Sequence, residues 1–288
     1  MNEFKHDLAV AYRIYPKVSS HPPPVFADDK LKLARLCLNS FKASLGNLRV
    51  KMWVLLDDCP PIYEELFSRL WAPDDLVWMR YPGVKDAATF REQVRILMEQ
   101  TDSEMVYLAE DDYFYLPDQF PLAVNFLKHN PDAHFVSPYD HPDIYTTELH
   151  KLPRETRVVD GKNWNSCFST THTFLTRRDT LRECKWVFLA PYGRVSPDLA
   201  KWMALTKRRV FNPIAFARWA VTCRFWAGSI FLAWYYCWRQ ILFGKKYTLW
   251  VPHPSIANHM VAGMEAPGID WQKEFDERLP KVWRTISD

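Results

Sequence analysis

The chain has 288 residues, 48% hydrophobic and 25% charged, which suits one large α/β domain, with or without an elaboration, and excludes a disordered tail. A formal net charge of +3 is too small to imply a nucleic-acid binder. Only eight glycines occur, no two within four positions of each other, so the GxGxxG and P-loop phosphate cradles are excluded and any bound phosphate must be neutralised by side chains and a metal ion.

Leu8 to Tyr15 predicts a short strand ended by Pro16, and a proline-rich loop follows (Ser19 to Phe26). Asp28 or Asp29 can cap a helix whose apolar face reads Leu31, Leu33, Ala34, Leu36, Leu38, Phe41 and Leu45, with Gly46 closing it. Val50 to Leu56 is a second strand, ended by Asp57 and Asp58, and Pro60 and Pro61 open a helix that runs through Leu70. Leu76 to Tyr81 is a third strand, stopped by Pro82 and Gly83. Asp86 to Gln100 predicts an amphipathic helix with Phe90, Val94, Leu97 and Met98 inward, and Met105 to Ala109 is a fourth strand running into Glu110, Asp111 and Asp112. Such alternation predicts a Rossmann-like, mainly parallel sheet flanked by helices. Ligands of such sheets bind beyond the carboxyl ends of the strands, where Tyr12, Arg13, Asp57, Asp58 and the acidic triplet all fall.

The second half is less regular. Phe135 to Pro138 and Phe168 to Leu175 read as strands, Tyr139 to Asn165 as a long polar loop, and Ser196 to Leu205 as a capped helix. The expected organisation is a catalytic domain over 1–205, with a donor side (1–117) and an acceptor side (118–205). A basic, aromatic-rich helical segment (206–249) and a C-terminal segment that completes the site (250–288) follow.

Three adjacent acids after an apolar strand repel one another unless a cation offsets them. Mn²⁺ or Mg²⁺ takes hard oxygen ligands, commonly one or two carboxylates plus substrate phosphates. The segment YLAEDDYFYLPD (Tyr107 to Asp118) resembles the DxD-like, often EDD, motif of GT-A glycosyltransferases of a family 2-like kind. The resemblance implies a metal-dependent transfer of a sugar from a nucleotide-sugar donor. Asp112 would then contact the metal, while Glu110 and Asp111 would contact the donor ribose or sugar or reach the metal through water. It also implies donor roles for Tyr12 (stacking on the base), Arg13 (phosphate), Asp57 or Asp58 (base hydrogen bond) and Arg91. A plain core tyrosine, a helix cap and a surface charge pair are the competing readings.

An inverting transferase needs a carboxylate to take the acceptor's proton. SPDLAKWM (Ser196 to Met203) offers Asp198 at a helix start and resembles the base-holding segment of inverting GT-A enzymes, although they often carry two acids there; Asp140 and Asp143 are the runners-up. NWNSCFSTTHTFLTRRDTL (Asn163 to Leu181) resembles an acceptor-side strand, with Trp164, Thr171 and His172 as sugar contacts. HPSIANHM (His253 to Met260) resembles a segment whose histidine completes the metal site; His259 matches, with His253 second.

Between Leu199 and Met264 stand nine Lys or Arg and no Asp or Glu, and Phe225 to Trp238 is an uncharged aromatic run bracketed by Arg224 and Arg239. With Pro213 and Gly228 dividing the region into two short helices, the expectation is an interfacial segment at an anionic membrane. Its acceptor would be a saccharide or lipid-linked. Six scattered cysteines and a polar N-terminus point to a cytoplasmic protein, peripheral at the membrane. Two alternatives remain: a nucleotidyltransferase of related fold, and a noncatalytic subunit of a polysaccharide-assembly complex.

Overall fold

Four parallel strands form the first half of the sheet: β1 (Leu8–Ile14), β2 (Val50–Asp57), β3 (Leu76–Tyr81) and β4 (Met105–Glu110), in spatial order β3-β2-β1-β4. The computed structural model describes residues 4–19, 21–192 and 197–284. Helices α1 (Lys30–Ser44), α2 (Ile62–Ser68) and α3 (Asp86–Glu99) connect these strands. Of the two candidate caps, Asp29 caps α1, its carboxylate accepting from the Lys32 N–H, and Gly46 takes the left-handed turn (φ +54°) just past the helix end.

Both faces of the sheet are covered, so strand parity decides where each side chain goes. Leu8, Val10, Tyr12 and Ile14 of β1, with Met105, Tyr107 and Ala109 of β4, point to the α1 face. Ala9, Ala11, Val106 and Leu108 point to the α3 face, against Phe90, Val94 and Leu97. Phe41 of α1 seats its ring among Tyr12, Tyr107, Tyr115 and Phe120 at 5.0–6.0 Å, and truncating it to Ala would cost about 3–5 kcal/mol.

The second half extends the sheet where a loop was expected. After β5 (Tyr113–Tyr115), α4 (Phe120–His129) and β6 (Phe135–Val136), residues 139–165 hold α5 (Asp143–Thr146), β7 (Thr156–Val159) and most of β8 (Lys162–Cys167). The strand expected over Phe168 to Leu175 begins later, as β9 (Phe174–Arg177); Phe168 to Thr173 is a loop whose hydroxyls bond neighbouring elements. Helices α6 (Arg178–Glu183), α7 (Lys185–Phe188), α8 (Asp198–Thr206), α9 (Pro213–Thr222) and α10 (Arg224–Phe243) follow, then β10 (Leu249–His253), β11 (Ala257–His259) and α11 (Trp271–Arg284). Ser196, read as the start of α8's segment, lies outside the described residues. Gly228 does not divide the helical region; the break falls at Cys223, and Gly228 sits inside α10 with no atom near where a Cβ would stand.

The full order is β3-β2-β1-β4-β9-β6-β10-β8-β7, and seven of the nine strands run in one direction, β9 and β8 being reversed. β10, from the C-terminal segment, is therefore an interior strand. A separate two-stranded ribbon pairs β11 with β5 and sets His259 opposite Tyr113. All six cysteines are unpaired thiols. Among the described residues no helix is long and apolar enough to cross a membrane.

Candidate active site

Two clefts open at the carboxyl ends of the parallel strands. The first, about 390 Å³, is lined by Arg13 and Tyr15 after β1, Lys17, Lys30, Asp57, Lys85, Asp86, Thr89 and the triplet Glu110 to Asp112. Arg13 shares the parity of Ala9 and Ala11 and lies beside Glu110 in the β1–β4 register. Its guanidinium pairs with Glu110 and with Asp86 at the start of α3. Glu110 also accepts from the Thr173 hydroxyl at 2.5 Å. Asp111 accepts from the Tyr15 N–H (3.0 Å) and from Lys30 Nζ (2.8 Å), the first residue of α1. Asp112 lies 3.3 Å from His259 Nε2, and His259 stacks on Tyr113 with centroids 4.7 Å apart.

Each acid of the triplet thus has its own cation or imidazole: Arg13, Lys30 or His259. Mutual repulsion is relieved by the protein itself, and it no longer demands a metal. The two acids of the turn differ in consequence. Burial holds the Asp111 carboxyl above the usual carboxylate range despite Lys30 beside it. Burial acts the same way on Asp112, but the His259 imidazole, together with the charges of Lys30 and Arg13, outweighs it and holds that carboxyl well below the range. His259, whose burial alone would disfavour its charge, is raised by Asp112.

Asp112 Oδ1 is buried with no hydrogen-bond partner. Among the described residues no group of three or more His, Cys, Asp or Glu is arranged to hold a metal by itself. The donors present, one idle carboxylate oxygen and an adjacent imidazole, fit Mn²⁺ or Mg²⁺ completed by substrate oxygens.

Several sequence expectations are corrected by parity and phase. Tyr12 is fully buried, edge-on to Phe67 at 5.3 Å and with its hydroxyl unpartnered, so no base can stack on it. The aromatic at the cleft is Tyr15, three residues on. Asp57 lines the cleft but spends both oxygens on the Val84 and Lys85 N–H groups, at 2.7 and 2.9 Å, closing the loop before α3. Asp58 turns away (φ +58°) into a shallow depression with Cys59 and Arg80. Arg91 sits about 140° around α3 from Asp86 and does not line the cleft. Trp164 is fully buried and stacks on Phe126 at 4.4 Å, which removes it from any acceptor surface.

The second cleft, about 540 Å³, is lined by His141, Asp143, Thr171, Asp198 and, from α10, Arg224, Phe225, Trp226 and Leu232. Asp198, first residue of α8, reaches His172 Nε2 at 2.6 Å, and Lys201 Nζ lies 2.8 Å from the same nitrogen. His172 is buried against Phe90 (centroids 3.9 Å), so it braces Asp198 rather than facing an acceptor. Burial pulls the Lys201 amine down to about 8, against the opposing charges of Asp198 and Asp86. Thr171 lines the cleft, its hydroxyl bonded to Tyr113 Oη at 2.8 Å. The loop carrying Thr171, His172 and Thr173 therefore touches both clefts. Asp140 is fully buried, held by Tyr145 Oη (2.6 Å) and His253 Nδ1 (3.0 Å), while Asp143 lies on the second cleft.

Lys30, Asp86, Tyr15, Lys85 and Lys201 were not singled out by motif. Parity would have exposed Tyr15, and helix starts facing strand ends would have exposed Lys30 and Asp86. Nothing local marks Lys201.

No protein-family model matches the chain, and no curated protein matches it. Solved structures resemble its chain course. A protein of Desulfovibrio desulfuricans G20 described as a nucleotide-diphospho-sugar transferase is 15% identical, with a TM-score of 0.38, over 63% of this chain and 67% of that one. A 4-diphosphocytidyl-2C-methyl-D-erythritol synthase of Anaerococcus prevotii is 10% identical, with a TM-score of 0.43, over 71% and 86%. S. aureus TarS is 12% identical, with a TM-score of 0.42, over 69% of this chain and 33% of that one.

Proposed function

We propose that the protein is a glycosyltransferase of GT-A type that moves a sugar from a nucleotide-sugar donor to a saccharide or lipid-linked acceptor, working peripherally at an anionic membrane surface. The observation that carries this reading is the pair of clefts linked by one loop, whose Thr171 lines the second and whose Thr173 bonds Glu110 of the first. One is an ion-lined cleft at the ends of β1, β2 and β4, and the other holds a braced carboxylate. A diphosphate needs cations, and Lys17, Lys30, Lys85 and Arg13 line the first cleft. A base needs a face to stack on, and Tyr15 offers one. Asp112 and His259 would hold Mn²⁺ or Mg²⁺, which when bound offsets the charge growing on the diphosphate leaving group.

Asp198 supports an inverting reaction, because it borders the acceptor cleft rather than the triplet. There it takes the proton from the acceptor hydroxyl, while His172 fixes its carboxylate from behind. Glu110, held by Arg13 and Thr173, faces the donor cleft with its orientation fixed.

The test is a thermal-shift series of nucleoside diphosphates with and without Mn²⁺, since a ligand bound to the folded state raises the melting point, followed by donor hydrolysis. A Mn²⁺-dependent shift with nucleoside diphosphate release is expected. Release of pyrophosphate from nucleoside triphosphates would assign a nucleotidyltransferase instead. Binding without any turnover would assign a noncatalytic subunit.

A further inference from the structure

The helical pair α9–α10 is apolar on two sides, and one of them is uncovered. Ala227, Ile230, Ala233, Cys237 and Ile241 are buried in the core shared with α8. On the other side Phe231, Tyr235, Trp238 and Leu242 are 44–65% exposed. Phe231 and Tyr235 stand about one turn apart with stacked rings (5.8 Å), Trp238 and Leu242 stand about one turn apart beyond a kink at Cys237, and Phe225 faces the second cleft. The two helices run antiparallel, with Trp219 against Trp226 (5.2 Å) and Phe211 against Trp234 (5.8 Å). α9 adds Ile214 and Val221, exposed by 82% and 86% and about two helical turns apart. Contiguous apolar exposure of this kind marks an interaction face.

Charge decides the partner. Leu199 to Met264 contains nine Lys or Arg and no Asp or Glu, although Lys201 is buried and Arg218 and Lys245 pair with Glu148 and Glu183. Arg224 and Arg239 are exposed on α10, one before the aromatic stripe and one within it. A second copy meeting this face about a twofold axis would set cation against cation. Anionic headgroups supply the opposite charge and acyl chains take the aromatic and aliphatic groups, with Tyr and Trp at the level both prefer. α10 covers 20 residues with a kink at Cys237, and no described helix is long and apolar enough to cross a membrane; its one-sided apolar stripe fits a helix lying along the surface.

We infer that α9–α10 lies flat in the interface of an anionic lipid bilayer through the stripe from Phe231 to Leu242, setting the mouth of the Asp198 cleft at headgroup level. The start of α10 is shared between the two: Arg224, Phe225 and Leu232 line the cleft that Asp198 borders. The docking stands on the surface alone; delivery of a membrane-held acceptor to Asp198 rests on the transferase reading.

The experiment is co-sedimentation of the full chain, without donor, with vesicles of phosphatidylcholine alone or mixed with phosphatidylglycerol, at low and high salt. Binding to the mixed vesicles at low salt, weakened by salt, is expected. The triple variant F231S/Y235S/W238S, whose side chains line neither cleft, should bind roughly tenfold or more weakly, with melting point and circular dichroism unchanged. The double variant R224Q/R239Q should lose binding to mixed vesicles, again by roughly tenfold. Wild-type protein left in the supernatant with mixed vesicles at low salt overturns the proposal, as does a triple variant that binds like wild type. A wild-type dimer abolished by the triple variant, with no vesicle binding, overturns it in favour of a second copy. Loss of transfer with intact vesicle binding would count against the enzyme reading alone.

Discussion

The two clefts organise charge differently. In the first cleft the acids end a parallel strand, and sheet register with helix starts assigns each a separate partner: Glu110 to Arg13, Asp111 to Lys30, Asp112 to His259. In the second cleft a single histidine nitrogen, His172 Nε2, is approached by both an acid and a buried amine, Asp198 and Lys201, which lie three residues apart on α8. The first arrangement is saturated except at one atom, Asp112 Oδ1; the second leaves its acid partly open. Counting acids therefore misjudges both. The triplet has one carboxylate oxygen to spare, and a single acid suffices at the other cleft because its geometry is fixed from behind.

The largest effect is expected at the acceptor cleft. Asp198→Asn should lower kcat by about 10²–10⁴-fold while nucleotide affinity stays at the wild-type value. Asp143→Asn, on the same cleft wall, should change kcat far less. Equal losses in the two variants would dissolve the assignment of a single braced base.

Within the triplet, Asp112→Asn and Asp111→Asn should separate. Asp112→Asn should reduce transfer by about 10²–10³-fold and remove the Mn²⁺-dependent share of nucleotide binding. Asp111→Asn strands Lys30 as a buried charge and should cost about 3 kcal/mol of stability, read by urea unfolding. Should both variants fail in the same way, the division between an idle and a committed carboxylate is wrong.

The first half of the fold was legible because each element carries its own period. The four strands, α1 and α3 fall within a residue or two of their apolar patterns; Pro60 and Pro61 open α2, which ends at Ser68. The triplet and Asp198 were legible as motifs. Tyr12 was misread because position along the strand was considered without parity: its ring points to the α1 face, against Phe41 and Phe67, and of that parity only Ile14, at the strand's very end, touches the cleft that Arg13 serves. Trp164 failed because β8 became an interior strand only when β10, some 85 residues later, paired with it. Pairing of that range leaves no local trace in composition. Lys201 is a lysine on an apolar helix, and what makes it a site residue is Phe90 and His172 from elsewhere.

A smaller effect tests that buried amine. Lys201 has an ordinary value of 10.5 lowered to about 8 by burial. Below pH 8 it is protonated folded and unfolded, and the cost of burying its charge is fully present. Between pH 8 and 10.5 the unfolded chain holds more protons than the folded one, so this group makes stability rise with pH. Urea midpoints of wild type and Lys201→Met across that window should converge as pH rises, with the variant gaining most at pH 7.5. Parallel curves would mean that Lys201 is not titrating in a desolvated place.

The smallest expected change, and the one that bears most directly on how the two faces of the sheet divide, is at Tyr12. Leu8, Val10, Tyr12 and Ile14 share the α1 face, and Arg13 belongs to the other. The Tyr12 ring is enclosed by Phe41 and Phe67, and its hydroxyl is buried without a hydrogen-bond partner. Burial accordingly pushes that hydroxyl well above the ordinary tyrosine range. An unsatisfied hydroxyl in a packed interior costs free energy, and replacing it by hydrogen relieves the cost without altering the ring. Tyr12→Phe should therefore leave stability unchanged or raise it by about 1 kcal/mol, with nucleotide affinity and transfer at wild-type values. A loss of about 1 kcal/mol on unfolding would show that the hydroxyl has a partner in solution. A loss of nucleotide affinity would return Tyr12 to the donor cleft and break the rule that strand parity separates core from site.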